Sequence, residues 1–299
     1  MSHMRIAVSG ASGLIGSALV PALEAAGHDV VRLIRGRSAG QRELAWDPDV
    51  GAIDAAALAG IDGAVHLSGA TIGRRWTAAR KTEILDSRVR STRLLAETLA
   101  SLDPRPAVLV CAGGIGIYGD RGDEILTEES ELGTGFLADV ARAQEAAAEP
   151  ARDAGIRVVG FRQGIVLSAR GGALQKMLTP FKLGLGGRVG SGKQWWSWVS
   201  LDDVIAAYRP AIEDDLAGAF NLTSPNPVTS RQFTTALGRA LGRPTVLPVP
   251  ALAVKTLFGE MGEATLLEGQ RALPARLLDA GFVFEYPEID SALARALSN

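Results

Sequence analysis

Arg5-Ile-Ala-Val-Ser9-Gly10-Ala-Ser12-Gly13-Leu14-Ile15-Gly16 is the most informative stretch of this 299-residue chain. Arg5 to Ser9 is a short apolar run that reads as a buried parallel strand. Leu14, Ile15, Leu19, Val20 and Leu23 then follow helical spacing as far as Ala26, and Gly27 closes the helix. Pro21 lies inside it, at a cost of about 3 kcal/mol in a helix interior unless packing compensates. A glycine motif between a strand and a helix is the context that dinucleotide binding requires. Gly10 permits the tight turn, Gly13 lets backbone approach a pyrophosphate, and Gly16 lets helix and strand pack closely. N–H groups at the helix start, around Ser12, Leu14 and Ile15, would then meet the phosphates.

Working outward, Val30 to Ile34 reads as the second strand. A dinucleotide with a free ribose hydroxyl calls for an acidic residue at its end. Arg35 and Arg37 stand there instead, and guanidinium groups grip phosphate in a fork. The spacing favours NADP(H) over NAD(H); the rival reading is two solvated arginines. Glu43 to Trp46, Ala64 to Leu67, Ala107 to Val110 and Arg157 to Arg162 read as further strands. Arg74 to Ala100 and Phe136 to Glu149 read as helices, with Pro150 ending or kinking the second. Alternating strands and helices predict α/β architecture, a doubly wound parallel-sheet Rossmann fold. Ser68-Gly69-Ala70 follows a strand, so it is either a close backbone approach to the adenosine half or a simple turn. After Ser168 glycines and prolines become frequent. The expected division is a dinucleotide-binding domain over 4–168 and a smaller C-terminal α/β lobe over 169–299, interwoven with it.

Composition narrows the function. The 31 Lys and Arg against 33 Asp and Glu give a net charge of −2. A nucleic-acid partner calls for a basic surplus, so none is expected. No apolar run reaches the roughly 20 residues of a membrane span, and a soluble, cytoplasmic protein is expected. With one cysteine, Cys111, and three histidines, no metal site is expected. His3 lies in a leading Met-Ser-His-Met that reads as an expression scar, with a native start at Met4. The sequence does not bear on oligomeric state.

Short-chain dehydrogenases use a tyrosine whose phenol is tuned by a lysine four residues on. The helix from Phe136 should carry that pair. Neither Phe136/Val140 nor Leu137/Ala141 supplies it, and no hydroxyl precedes Tyr118 in the segment Cys111 to Gly119. Tyr118, near a strand's carboxyl end, is the remaining acid/base candidate, or else a ring packed under the loop. Cys111 reads as a buried, inert thiol and His66 as a core histidine. Arg74, Arg75 and Trp76 combine cations with an aromatic face and could hold a substrate, or simply start a surface helix. Arg162, a cofactor candidate, and Gln163, a substrate-pocket candidate, leave a strand end. Lys193, Trp195, Trp196 and Trp198 could wall a pocket, or be ordinary core. Asp202-Asp203 reads as a helix N-terminus.

Together these motifs carry a resemblance. Gly10–Gly16, Gly73-Arg74-Arg75-Trp76 through Ser87-Arg88 to Thr92-Arg93, and Thr134-Gly-Phe136-Leu137-Ala138 resemble segments of the "epimerase family" of atypical, extended short-chain dehydrogenases. So do Gly190-Ser-Gly192-Lys-Gln194-Trp195 to Trp198 with Asp202-Asp203, and Leu267-Glu-Gly269-Gln270-Arg271-Ala-Leu-Pro274 through Gly281-Phe282. The last belongs to that family's small C-terminal domain, expected over about 248–295. The resemblance implies an NADP(H)-dependent oxidoreductase or epimerase-like enzyme acting on a small molecule, and that family usually lacks the Tyr/Lys pair. This chain departs further: Gly113 or Gly114 stands for a serine, Ile117 for a tyrosine, and Gln163 for a threonine. The alternatives are a non-redox cyclase or isomerase on the same fold, and a nucleotide-binding sensor without catalysis.

Overall fold

The structure is a computed structural model and describes residues 3–36 and 40–298. The first half runs β1 (Arg5–Ser9), α1 (Gly16–Ala25), β2 (Asp29–Ile34), β3 (Glu43–Asp47), β4 (Ala52–Ile53), β5 (Gly63–His66) and α2 (Ala78–Ser101). It continues with β6 (Val108–Gly114), β7 (Ile125–Leu126), α3 (Phe136–Ala147), α4 (Glu149–Asp153), β8 (Arg157–Gln163) and β9 (Ile165–Leu167). Then come α5 (Gly172–Lys182), β10 (Trp195–Trp196), β11 (Trp198–Ser200), α6 (Leu201–Glu213), β12 (Gly218–Leu222), β13 (Val228–Thr229) and α7 (Ser230–Leu241). The tail holds α8 (Ala251–Phe258), α9 (Glu260–Gly262), β14 (Arg271–Ala272), α10 (Ala275–Asp279) and α11 (Ile289–Leu297).

The central sheet has the order β12-β8-β6-β5-β1-β2-β3-β4, and only the β3–β4 pair is antiparallel. From β1 the chain winds outward through β2, then crosses back to β5. The reversal leaves a crevice at the carboxyl ends of β1 and β5, where open α/β sheets bind ligands. The sheet is buried on both faces, as parallel sheets require. Leu19, Val20 and Leu23 of α1 and Val204, Ala207 and Tyr208 of α6 cover one face. Leu95 and Leu99 of α2, with Ala148 and Ala151, cover the other.

Strand β12 pairs with β8 in parallel, so residues well beyond 168 complete the central sheet. A cut at the expected boundary would strip that edge strand away. The second lobe has its own core, in which Trp196, Trp198, Phe233, Leu237 and Leu293 pack together. Several expected ends move. Helix α1 begins at Gly16, because residues 11–15 form the turn. Helix α2 begins at Ala78, capped by the Thr77 side chain accepting from Arg80 N, so Arg74 to Trp76 lie in the preceding loop. The helix from Phe136 stops at Ala147, and Pro150 enters the first turn of α4, where its missing N–H costs little.

Candidate functional site

The turn after β1 is built around glycine. Gly10 has φ +70°, and a β-carbon on it would stand 2.8 Å from the Leu67 carbonyl carbon. A β-carbon on Gly16 would overlap the Gly10 carbonyl oxygen. Gly13 N donates to that same oxygen at 2.9 Å, closing the turn. The N–H groups of Ser12, Leu14 and Ile15 have no acceptor among the described residues. Ser12 and Gly13 are exposed, so this edge of the loop is open to a ligand. Leu14 backs onto Gly171 and Gly172 at the start of α5, and Ile15 packs on the first core. A cradle of free N–H groups at a helix start fits a dinucleotide's pyrophosphate.

At the end of β2, Arg35 is exposed, with Asp49 3.7 Å away. An exposed pair of that kind is worth about 0–1 kcal/mol, so the guanidinium remains available to a phosphate. Arg37 lies outside the described residues.

Across the crevice, Ser68-Gly69-Ala70 is pinned to α2. Ala70 N donates to Ser87 Oγ at 3.0 Å, and Arg88 Nη1 donates to Ala70 O at 2.9 Å. Gly69 lies close under the Arg88 side chain, and a β-carbon there would stand 3.1 Å from Arg88 Cζ. Arg88 is half-buried, forms no ion pair among the described residues, and has another cation, Arg80, nearby. Burial and then Arg80 push its pKa down, and its Nη1 also donates to Ile84 O at 3.2 Å. Sequence reasoning assigned Arg88 no role. The available signal was a charged residue on the buried stripe of α2 that holds Ile84, Ser91 and Leu95.

Behind this segment His66 is fully buried between two serines. Ser91 Oγ spends its proton on Ser87 O at 2.5 Å, so it accepts from His66 Nε2–H at 3.0 Å. Nδ1 then accepts from Ser9 Oγ–H at 2.7 Å. Burial, and then the charge of Arg88, hold the imidazole neutral with a pKa of about 4. The core-histidine reading describes this geometry, and the ring ties the ends of β1 and β5 to α2.

At the reaction end of the crevice Tyr118 sits in a buried hydrogen-bond network. Tyr118 is fully buried. Its hydroxyl donates to Asn221 Oδ1 at 2.7 Å and accepts from Arg162 Nη1 at 2.9 Å. Burial raises its pKa, only partly offset by Arg162 and Asn221. A phenol committed on both sides, and harder to ionise than usual, is poorly placed to exchange protons with a ligand. Arg162 belongs to the same network. Its Nε and Nη2 hold both carboxylate oxygens of Glu145, at 2.9 and 3.0 Å. Burial disfavours its charge, but Glu145 and Tyr118 outweigh this and raise its pKa. All three of these guanidinium nitrogens thus have partners within the protein. Gln163 donates to the Tyr208 hydroxyl at 2.9 Å. Cys111 is buried, and desolvation pushes its thiol up to about 12.

The proposed pocket residues disperse. Trp198 is fully buried and Trp196 nearly so, both in the second core, so neither walls a pocket. Trp195 is half-buried beneath the Arg271 guanidinium. Lys193 is exposed. Trp76 is buried against Phe136, and its Nε1 donates to Ile72 O. Arg75 donates to Thr256 O and Leu257 O, capping the last turn of α8. Arg74 stays exposed. Ser200 caps α6, and Asp203 accepts from Ser200 Oγ and from Glu285 N, while Asp202 pairs with Arg295. Among the described residues no helix is long and apolar enough to cross a membrane, and no His, Cys, Asp and Glu cluster could hold a metal.

Comparison with known proteins agrees with this geometry. The NAD dependent epimerase/dehydratase family matches residues 6–222, and a domain of unknown function (DUF1731) matches residues 249–296. The chain is 45% identical to "Epimerase family protein Mb2239" of Mycobacterium bovis, over 99% of this chain and 98% of that one. The crystal structure of human epimerase family protein SDR39U1 (isoform 2) with NADPH has a TM-score of 0.91 at 34% identity, covering 99% of this chain and 100% of that chain. A nucleoside-diphosphate sugar epimerase from Corynebacterium glutamicum has a TM-score of 0.83 at 36% identity, covering 99% of this chain and 58% of that chain. A Rossmann sheet with an open glycine cradle and a DUF1731 tail thus carries a family assignment over nearly its whole length: the chain belongs to the NAD dependent epimerase/dehydratase family.

Proposed function

We propose that this protein binds NADPH and acts on a small molecule as an oxidoreductase or epimerase-like enzyme. The observation that carries the reading is the cradle after β1, where three N–H groups lack acceptors and two glycines leave no room for a β-carbon. The human relative crystallised with NADPH supports it. Ser12, Gly13, Leu14 and Ile15 would meet the pyrophosphate through backbone. Gly69 gives backbone clearance, Arg88 supplies a fixed positive charge beside it, and Arg35 would take the 2′-phosphate. NADPH supplies a hydride when bound. The proton that accompanies it would come from substrate or water, because Phe136, Val140, Leu137 and Ala141 leave no phenol–lysine pair. Titration with NADPH and NADH tests the cofactor: tight NADPH binding is expected, and no binding of either removes the reading.

A second reading keeps the fold but not the redox step. The commitment of Tyr118 to Asn221 and Arg162 favours it, since its hydroxyl is already bonded on both sides. A cyclase or isomerase would leave NADPH absorbance unchanged during turnover. A nucleotide sensor would show NADPH binding with no turnover at all.

A further inference from the structure

In the second lobe, unpaired cations and exposed apolar side chains occupy the same stretches of chain. Residues 169–199 hold five Lys or Arg and residues 225–259 hold four, and neither segment contains an Asp or Glu. The whole chain has slightly more acidic than basic residues, so charge is segregated here. The same two segments supply seven of the twelve large apolar side chains that stand exposed among the described residues. Leu183, Val246, Leu252 and Leu257 are exposed by 66 to 77%. Side chains that open protrude from the surface and do not line a cleft. A single exposed leucine is ordinary, but a contiguous apolar patch calls for a partner.

The fold joins the two segments into one face. Helix α5 ends at Lys182, and Leu183 and Leu185 follow it. Gly187 then bridges to Val246, and a β-carbon on it would overlap the Leu247 carbonyl oxygen. Val249 N donates to Arg188 O and Gly190 N donates to Val249 O, both at 2.9 Å, so residues 187–190 lie along 246–249. Helix α8 begins at Ala251 and buries only Val254, leaving Leu252, Leu257 and Phe258 outside. A helix apolar on most of its sides is ordinarily covered. The cations stand among these residues. Arg188, Arg231 and Val246 line one open pocket of about 310 Å³ with Thr234, Thr235 and Thr245. Lys182, Arg188, Lys193, Arg231 and Arg243 are exposed and form no ion pair among the described residues. Carboxylates reach the region from outside the two segments: Asp290 to Arg239, Glu263 to Lys255, and Asp123 to Trp195. Glu260, just past α8, is held by Lys81.

We propose that this face docks the protein on an anionic lipid surface. The protruding leucines would enter the boundary of the acyl chains, and the cations beside them would meet the lipid phosphates. Charge selects this occupant, because five unpaired cations call for an anionic partner. A second copy of the chain does not supply one, since a two-fold contact sets the same cations against each other. The contact is peripheral: among the described residues no helix is long and apolar enough to cross a membrane. Docking leaves the cofactor cradle open. Helix α5 starts against Leu14 of the cradle and reaches the docking face 11 residues later, about 16 Å away by helix rise. The docking face therefore does not depend on the NADPH reading.

Co-sedimentation of the full chain with lipid vesicles tests this. One set contains phosphatidylglycerol and phosphatidylcholine in equal parts, and the other phosphatidylcholine alone. The anionic set should bind at least about 100-fold more tightly at low salt, and the binding should weaken steeply towards about 0.5 M salt. Lys193→Gln and Arg231→Gln should each cost about fivefold. Leu252→Ser and Leu257→Ser should each cost about tenfold. All four side chains are exposed, so melting temperature and NADPH titration should match wild type. No binding to the anionic vesicles, equal binding to both sets, or binding unchanged in all four variants overturns the proposal. Sedimentation equilibrium without lipid should show a monomer; a dimer that Leu252→Ser dissolves gives the face to a second copy and also overturns it. If the leucine variants do not fold, the two cation variants carry the test, and wild-type binding by both overturns it. If NADPH fails to bind while anionic vesicles bind through these residues, the cofactor reading falls and the docking face stands.

Discussion

Arg162 Nη1 lies 2.9 Å from the Tyr118 hydroxyl, and the rest of the same guanidinium is clamped by Glu145. This relationship sets the role of Tyr118. Replacing it with Phe removes one oxygen and leaves Arg162 Nη1 and Asn221 Oδ1 without that partner. Unsatisfied buried groups cost about 1–3 kcal/mol. Tyr118→Phe should therefore lower the melting temperature and leave NADPH affinity within about twofold of wild type. A stable variant that lost turnover entirely would return Tyr118 to catalysis.

Glu145→Gln addresses the same network from the other end. It keeps the shape but removes the charge that offsets the buried Arg162 guanidinium. Breaking one partner of a buried ion pair costs about 3–5 kcal/mol. Glu145 is partly exposed, so the expected loss in denaturant titration is nearer 2 kcal/mol. A loss below about 0.5 kcal/mol would mean that solvent already screens the pair.

The glycine cradle separates packing from ligand contact. Gly16→Ala places a methyl on the Gly10 carbonyl oxygen, and overpacking of this kind costs about 1–3 kcal/mol. Gly13→Ala meets the same oxygen at 3.2 Å on an exposed turn, so it should fold and chiefly impair cofactor approach. Thermal melts with and without NADPH distinguish the two. The reading fails if Gly13→Ala retains full NADPH stabilisation.

Arg35 should govern cofactor choice. Arg35→Ala is expected to weaken NADPH by about tenfold, near 1.4 kcal/mol, and to leave NADH unchanged. Arg88→Gln should weaken both cofactors alike, because a charge beside the pyrophosphate does not sense the 2′-phosphate. Parallel losses in the two variants would refute this division of labour.

His66 makes stability depend on pH. The unfolded chain takes up a proton at this residue near pH 6.5, and the folded one only near 4, so unfolding binds a proton in that window. The contribution is fully present above pH 6.5 and is lost as pH falls towards 4. The total is about 3 kcal/mol. Melts at pH 7.5 and 5.0 should diverge more for wild type than for His66→Asn. Equal divergence would show that the imidazole is not held neutral.

Much of the fold was legible in local sequence. A parallel strand buried on both faces must be apolar along its length, and a turn that allows close backbone approach must be glycine. Arg5 to Gly16 satisfies both requirements within twelve residues. Strands β4, β7, β9 to β11, β13 and β14 were not legible, because two or three residues carry no periodicity, and β12 was missed because its partner β8 lies far back in the chain.

The candidate site divides along the same line. Gly10, Gly13, Gly16 and Arg35 act through backbone geometry or exposed charge at a strand end, and both are local properties. Tyr118, Arg162, Trp196 and Trp198 were placed at the site for their chemistry, yet their side chains face the interior. Arg88 lies on a helix stripe that otherwise reads as core, yet it is a half-buried cation with no ion pair among the described residues. Whether a polar side chain is spent or available depends on its partner, and Tyr118 finds Asn221 103 positions away, while Arg162 finds Glu145 17 positions away. The sequence by itself determined the inner strands of the sheet and the cofactor cradle, because local chain geometry enforces them. Only the tertiary structure decided which charges remain free to meet a ligand, because hydrogen bonds and ion pairs are settled by neighbours in space.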